Sequence, residues 1–219
     1  MNESTKSQAH WGKFERQVTQ GSGIDIGCGP DPVTPTARRF DLEHGDANRV
    51  SEFVKEQFDF VYSSHCLEHM HDPRATILDW WKLAKPGGHL FVVVPDEDLY
   101  EQGVFPSRFN DDHKATFTLS KAQSWSPNSV NVLALANSLP NGRIVSLELQ
   151  DRGYDRTLMS FGKCSPGFLV RLLAKLAGVT GLHRRTSVRR FLTTFFPVDQ
   201  TSADQNAQAQ IQLVVQKLA

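Results

Sequence analysis

Cysteine is scarce in this 219-residue sequence, which has three, Cys28, Cys66 and Cys164, at unrelated spacings. An odd number with no CxxC pair argues against a disulfide framework and a cysteine zinc site, so we expect reduced thiols. No apolar run approaches the roughly 20 residues of a membrane-spanning helix. Residues 1–10 are polar and lack the apolar core of a secretory signal, and we therefore expect a cytoplasmic location.

Net charge is also absent, because 24 Lys and Arg balance 24 Asp and Glu. The balance hides a division: residues 1–150 carry 14 basic and 20 acidic side chains, whereas residues 151–219 carry 10 and 4. A neutral chain without a recognisable nucleic-acid-binding motif argues against nucleic acid as a partner. The basic excess is therefore local.

Four apolar runs predict β-strands, and the alternating run 143–149 is a weaker fifth. A helix is predicted between the second and third strands, because Asp72 can cap it, Pro73 suits its first turn and Pro-Gly-Gly at 86–88 ends it. Strand, helix and strand in this order predict a doubly wound, mostly parallel sheet whose ligands lie beyond the carboxyl ends of the strands. The four runs are Gly23–Ile26, 58–63, 89–94 and 211–215.

Helical patterns occupy much of the remaining chain, which we interpret as one domain, 1–219. Shorter helices are predicted at 8–17, 49–57 and 126–138. After residue 151, Ser165 and Pro166 open an amphipathic pattern with apolar residues from Phe168 to Leu176, closed near Gly178. We interpret about 151–200 as a basic helical insertion before the last strand.

One segment combines an apolar strand, an acid and two glycines: Ile24-Asp25-Ile26-Gly27-Cys28-Gly29-Pro30. Glycine permits positive φ and lets a ligand approach the backbone closely. The segment resembles the first motif of class I S-adenosylmethionine-dependent methyltransferases (methyltransferase type 11/23-like). In that family the glycine turn packs against the methionine part of the cofactor, and Asp25 is the matching acid. The family often has a third glycine where this sequence has Asp31.

Two acids follow the turn. Asp41 ends the run Arg39-Phe40-Asp41-Leu42, and an acid after the second strand hydrogen-bonds ribose hydroxyls in dinucleotide-type sites. Gly45-Asp46-Ala47 is similar to the family's loop at the adenine amino group, so the resemblance implies cofactor contacts by Asp46 and Ala47. The two acids stand unusually close, so either the intervening strand–helix unit is shortened or only one acid touches the cofactor.

Two further runs extend the resemblance. The segment 58–69 resembles the family's fourth strand, and implies that Ser63, Ser64 and His65 line the cofactor site. The segment 83–95 matches the helix stop and fifth strand. Together the motifs cover a cofactor-binding core at 21–96, and the strand at 210–217 is compatible with the closing strand. The resemblance implies a Rossmann-like α/β sheet of the seven-stranded type with helices on both faces. It also implies S-adenosyl-L-methionine as cofactor and S-adenosyl-L-homocysteine as product.

The run 65–69 also fits HxxEH, the pattern by which inverted zinc peptidases place two histidine ligands and a glutamate base on one helix. A zinc hydrolase using His65 and His69 is therefore an alternative. We predict no metal, because the run begins at a strand end and no motif for a third ligand follows. A protein that binds the cofactor without transferring a methyl group is the other alternative.

His113 is the catalytic candidate, since it follows the fifth strand, where an acceptor would sit. It could remove the proton of a hydroxyl acceptor, or it could merely cap the turn before Ala115. The GCGP run at 27–30 and the run 63–69 are similar to bacterial methyltransferases associated with surface-polysaccharide synthesis. We therefore expect O-methylation of a small-molecule or glycan-type acceptor.

The segment 151–192 contains nine Lys or Arg against two Asp, with Phe191 and Leu192 beside the last arginines. Such a surface favours an anionic partner. A phosphate-bearing or lipid-linked acceptor fits this charge, as does peripheral membrane contact through 166–196. A solvated lid over the site is the alternative.

Overall fold

A computed structural model describes residues 3–162, 167–182, 185–202 and 207–219. The predictions for Cys164, Ser165 and Pro166 lie outside these ranges. No helix within them is both long and apolar enough to cross a membrane.

The α-helices are α1 Glu3–Gln8, α2 Lys13–Val18, α3 Val50–Phe53, α4 Pro73–Trp81, α5 Val132–Asn137, α6 Phe168–Val179 and α7 Thr186–Thr193. The strands are β1 Gly23–Ile26, β2 Arg38–Phe40, β3 Phe58–Ser64, β4 Ala84–Pro95, β5 Thr116–Thr118, β6 Ser129–Asn131, β7 Gly142–Gln150 and β8 Gln210–Lys217.

The main sheet has the strand order β2-β1-β3-β4-β8-β7. β2, β1, β3 and β4 pair in parallel, whereas β8 pairs antiparallel with both β4 and β7. This arrangement confirms the predicted Rossmann-like, mostly parallel α/β sheet. α6 and α7 lie between β7 and β8 in the chain, as the predicted helical insertion requires.

The central strands bury both of their faces. Val61 of β3 joins one apolar core with Trp80 of α4, and the next residue, Tyr62, joins a second core with Val18 of α2. Side chains alternate across a strand, so these two cores lie on opposite faces of the sheet. Helices therefore cover both faces, as predicted, and the near-continuous apolar runs reflect this double burial.

The sheet has six strands within the described residues, so the expectation of seven is wrong by one. Between β2 and α3 the chain forms a turn and a 3-10 helix, Ala47–Arg49, in place of a strand. The Asp46 side chain caps this 3-10 helix by accepting from Asn48 N at 2.9 Å, and the chain then continues directly into α3. The shortened connection explains why Asp41 and Asp46 stand so close.

Three predicted helices differ from the structure. The helix at 8–17 is two helices, α1 and α2, separated at Gly12, the N-cap of α2. The helix at 49–57 ends at Phe53, because Val54 is extended. The helix at 126–138 begins only after β6, where the Asn131 side chain accepts from Ala134 N at 2.8 Å and caps α5. In this last segment, β6 pairs with β5 in a separate two-stranded sheet.

The carboxyl ends of the parallel strands meet at one edge of the sheet. β1 ends just before Gly27, β3 just before His65 and β4 just before Asp96. α1 crosses this edge: Thr5 donates from its backbone and its hydroxyl to Asp31, at 2.7 and 2.6 Å. The edge beyond these strands is therefore where the site residues come together.

The register between β1 and β3 generates a stability prediction. A Cβ on Gly23 would lie 1.9 Å from the ring of its partner Phe60, which is fully buried. Gly23→Ala is expected to lower the free energy of unfolding by about 1–3 kcal/mol through overpacking. Gly178→Ala in α6, where no heavy atom lies within 4 Å, should raise it by about 0.5–1 kcal/mol.

Urea unfolding of the two alanine variants and the wild type measures both effects. A Gly23→Ala protein as stable as the wild type would contradict the β1–β3 register.

Candidate active site

The predicted glycine turn follows β1 and requires glycine at Gly27. Gly27 has φ 75°, its N–H donates to Phe40 O at 2.8 Å, and a Cβ there would lie 2.6 Å from the Cys66 side chain. Gly29 has φ 51°, and its N–H donates to Asp41 Oδ2 at 2.6 Å. Both glycines occupy the left-handed region that L side chains rarely adopt. The turn therefore also fixes the position of the Asp41 carboxylate.

Asp25 lies beneath this turn and is almost fully buried. Its Oδ2 accepts from Val33 N at 2.6 Å, while Oδ1 has no hydrogen-bond partner among the described residues. Burial raises the pKa of Asp25 to about 7, although the hydrogen bond from Val33 opposes the rise. A buried carboxylate with one unused oxygen is an acceptor held ready for a polar ligand.

We call the cavity beside the glycines the turn cavity, a space of about 240 Å³. It contains seven of the predicted cofactor residues, and α1 covers it with Glu3 and Ser4. The predicted residues in its lining are Asp25, Gly27, Cys28, Gly29, Pro30, Ser64 and His65. No sequence motif includes the residues of α1, so α1 was not predicted to be part of the site.

A second space of about 250 Å³, the loop cavity, adjoins the turn on the side of the 41–47 loop. Asp41 and Ala47 line it together with Met70, and Gly27 and His65 line it as well as the turn cavity. The two cavities therefore meet at Gly27 and His65, and together they contain nine of the eleven predicted cofactor residues.

Ser63 and Asp46 line neither the turn cavity nor the loop cavity, and their side chains make internal contacts. Ser63 is fully buried within the sheet and donates to Ile26 O at 2.9 Å, which ties β3 to β1. The Asp46 carboxylate is used by the 3-10 cap and by Arg49 Nε at 3.2 Å. These internal contacts hold the loop in place for Ala47.

His65 lies where three cavities meet, with an unusual backbone φ of 52° for a residue other than glycine. Its Nδ1 is 3.4 Å from Glu68 Oε1 and its Nε2 is 3.1 Å from Gln210 Oε1. Burial by itself lowers the pKa of His65, but the contact with Glu68 and its charge outweigh burial and raise that pKa to about 9. The neighbouring Glu68 carboxylate therefore favours the protonated form of His65.

The third space, the histidine cavity, has a volume of about 310 Å³ and extends from His65 to His113, Tyr100 and Phe109. His113 is buried, and its Nδ1 lies 2.7 Å from Glu101 Oε1. With Nδ1–H donating to this carboxylate, Nε2 of a neutral ring is left as a proton acceptor. Sequence reasoning found His113 but missed Glu101, which belongs to no motif.

The HxxEH run does not form the zinc arrangement of the alternative function. His65 directly follows β3 and His69 ends the 3-10 helix Leu67–His69, so the run does not lie on one helix. Within the described ranges, the residues spaced as metal ligands are Glu68, His69 and His113, a group that does not include His65. The two-histidine pattern of an inverted zinc peptidase is therefore not present at 65–69.

The sheet order, the glycine turn after β1 and the cavities at the carboxyl edge define a class I methyltransferase fold. A family model described as a methyltransferase domain matches residues 11–154, about two thirds of the chain. The chain belongs to this methyltransferase-domain family, whose cofactor is S-adenosylmethionine, as the motifs predicted.

Curated relatives include ubiquinone biosynthesis O-methyltransferases from Cronobacter sakazakii and Pectobacterium carotovorum. They are 36% and 37% identical over 84 residues, which is 35% of this chain in both cases. The match spans about a third of each relative, 33% and 34%.

A solved structure described as a sarcosine dimethylglycine methyltransferase from Galdieria sulphuraria covers 98% of this chain. This chain covers 84% of it, with a TM-score of 0.51 and 9% identity, a likeness of fold alone.

The raised pKa of Asp25 predicts a pH-dependent stability. Because the folded-state pKa of about 7 lies above the ordinary value of 3.8, the folded chain binds the proton more tightly than the unfolded chain. The resulting stability is present below about pH 4 and is lost as pH rises through 7. The Asn side chain of Asp25→Asn does not titrate, so this variant should not lose stability as the wild type does when pH rises. The stability of the variant minus that of the wild type should therefore increase between pH 5 and pH 8. One pKa unit corresponds to about 1.4 kcal/mol.

Urea unfolding of both proteins at the two pH values measures the difference. A constant difference would show that Asp25 titrates normally.

Proposed function

We propose that this chain transfers a methyl group from S-adenosylmethionine to a hydroxyl oxygen of a small-molecule acceptor. The observation that carries the proposal is the junction at His65, where the two cavities at the glycine turn open beside a cavity that holds a carboxylate-bound histidine. Transfer to oxygen, in preference to nitrogen or carbon, is supported by the names of the curated relatives.

The turn and loop cavities fit the cofactor. No heavy atom lies within 4 Å of where a Cβ on Gly29 would be. Because glycine has no side chain to fill this open space, a ligand can reach the backbone there. Asp25 offers an unused carboxylate oxygen, and the turn holds Asp41 in the lining of the loop cavity. When bound, S-adenosylmethionine supplies a methyl group on a sulfonium sulfur and leaves as S-adenosylhomocysteine.

The histidine cavity is the proposed acceptor site. Tyr100 and Phe109 present aromatic rings to it, with centroids 5.8 Å apart in an edge-to-face arrangement. Glu101 holds Nδ1 of His113, so Nε2 can take the proton of an acceptor hydroxyl as its oxygen becomes the nucleophile. Of the other polar residues after the late strands, Tyr154 donates to Leu99 O at 2.5 Å and Arg156 pairs with Asp151 at 2.6 Å, so both serve the local fold.

The glycine turn generates a binding prediction. Gly27→Ala should weaken binding of S-adenosylmethionine at least tenfold, because the new Cβ would collide with Cys66 at the junction of the two cavities. Gly87→Ala is the matched control: Gly87 has a similar φ of 82° but open space around it and no place in the turn cavity.

Isothermal titration calorimetry with S-adenosylmethionine and S-adenosylhomocysteine compares the two variants with the wild type. Equal losses in both variants would mean that backbone strain, not the cavity, is responsible. A wild-type chain that binds neither compound would contradict the proposed function.

The proposed base generates a kinetic prediction. His113→Ala is expected to lower turnover about 10²–10⁴-fold, the usual contribution of a positioned proton acceptor. Glu101→Gln should lower turnover less and shift its pH dependence, because it disturbs the orientation of the ring and not the ring itself. His71→Ala is the control, since His71 is an exposed histidine outside the three cavities.

Transfer of a radiolabelled methyl group to phenolic, sugar and sugar-phosphate acceptors measures turnover. Unchanged turnover in His113→Ala would remove the catalytic assignment and leave a structural role before Ala115.

We also propose that the α6–α7 segment contacts an anionic membrane surface when the chain meets a lipid-linked acceptor. Phe168, Leu169 and Val179 of α6 are 81, 72 and 83% exposed, far more than an apolar residue of a buried helix would be. Apolar residues with flanking cations favour the interface of an anionic bilayer. The cations of the described part of this segment are Arg171, Lys175, Arg185, Arg189 and Arg190.

Vesicle sedimentation tests the membrane contact. The wild type is expected to sediment with vesicles containing phosphatidylglycerol and to be released by salt, whereas neutral phosphatidylcholine vesicles should retain little. The double variant Phe168→Ser, Leu169→Ser should lower retention several-fold. Leu218→Ser, which removes an exposed leucine outside α6 and α7, should not. Equal retention in all variants would leave α6 and α7 as a solvated lid.

A further inference from the structure

Three side chains converge in the wall of the histidine cavity from two separate segments. Glu68 and His69 lie on the 3-10 helix that follows β3, and His113 lies just before β5. Each offers one ligand atom, and these atoms all lie within 4.8 Å of one another. All three side chains also line the histidine cavity, so the group is reachable from its open space.

Both histidines are oriented by a carboxylate. Nδ1 of His113 lies 2.7 Å from Glu101 Oε1, and Nδ1 of His69 lies 3.0 Å from Asp112 Oδ2. Metal-bound histidines characteristically hydrogen-bond a carboxylate through the ring nitrogen that does not bind the metal, which fixes the tautomer and raises ligand basicity. In each ring this contact leaves Nε2 as the nitrogen available to a cation.

Glu68 supplies the observation that points to a ligand. Its side chain is fully buried, yet neither carboxylate oxygen accepts a hydrogen bond among the described residues. The ring nitrogens nearest to Oε1 are His65 Nδ1 at 3.4 Å and His113 Nε2 at 4.0 Å. A buried carboxyl group normally accepts hydrogen bonds or binds a metal, because buried polar atoms without such partners are costly.

We propose that Glu68, His69 and His113 form a binding site for a divalent transition-metal ion of the zinc, cobalt or manganese type. Two imidazole nitrogens and one carboxylate oxygen are a donor set that such ions prefer, whereas Mg²⁺ and Ca²⁺ prefer oxygen ligands. All three residues line the histidine cavity, so an acceptor oxygen bound there could also reach the ion. This site replaces the His65–His69 pairing that the HxxEH pattern suggested.

The metal ion and the proton removed from an acceptor hydroxyl would compete for the same atom, Nε2 of His113. The metal-loaded and metal-free chains are therefore expected to differ in methyl-transfer rate. Metal binding itself needs neither S-adenosylmethionine nor an acceptor, so failure of the proposed function would leave the metal site testable, and the reverse also holds.

Titration of the chelator-treated full chain with Co²⁺ tests the site, because Co²⁺ reports its coordination by visible absorption. The wild type is expected to bind one equivalent with the spectrum of nitrogen and oxygen ligands, and Mg²⁺ should not displace it. Glu68→Gln and His113→Gln should weaken binding at least tenfold, and Glu101→Gln about 10–100-fold through the lost orientation. His44→Gln, which removes an exposed histidine from outside the group, should bind as the wild type does.

A second measurement uses the wild type alone, in case the buried variants do not fold. Zn²⁺ should protect His69 and His113 from diethyl pyrocarbonate, as read by mass spectrometry, while His44 and His71 remain reactive. Absence of a stoichiometric Co²⁺ complex, equal affinity in all folded variants, or protection spread over the exposed histidines would each overturn the proposal.

Discussion

The site depends on the close approach of two strand ends. β1 and β3 pair in parallel, with Ile26 opposite Ser63, so Gly27 comes against Cys66 with no room for a side chain between them. This contact brings the glycine turn and His65 to the same point at the edge of the sheet. The turn then holds Asp41 through Gly29, and the cavities open on either side of it. A change in this register would separate all of these groups.

Around this point the chain buries several ionisable groups and holds them in pairs. Glu68 lies beside His65, and Glu101 binds His113. Burial of such groups lowers stability unless partners compensate. Their concentration at one edge of the sheet is therefore more easily explained by a role in binding or catalysis than by a contribution to stability. Asp25, with a pKa raised to about 7, shows the same cost at the turn cavity.

The fold was predictable where sequence pattern and local chemistry agree. The buried runs of β1, β3 and β4 and the capped helix α4 were found because double burial leaves apolar runs and because Asp72 and Pro73 mark a helix start. The missing seventh strand was not predictable from composition, since it depends on a 3-10 cap at Asp46. Likewise, Glu101 reaches His113 only through the fold, 12 residues away in the chain and in no motif. Motifs therefore identified most residues that line the turn and loop cavities, whereas Glu101 could be found only from the tertiary packing.

The turn and loop cavities are proposed to hold the cofactor together, and a crystal structure of the chain grown with S-adenosylhomocysteine tests this proposal. We expect one ligand that extends through both cavities, in contact with the backbone of Gly27 and with Asp41, beside His65. A ligand bound elsewhere on the chain, or one that leaves the turn cavity unoccupied at saturating concentration, would show that the cofactor does not bind there.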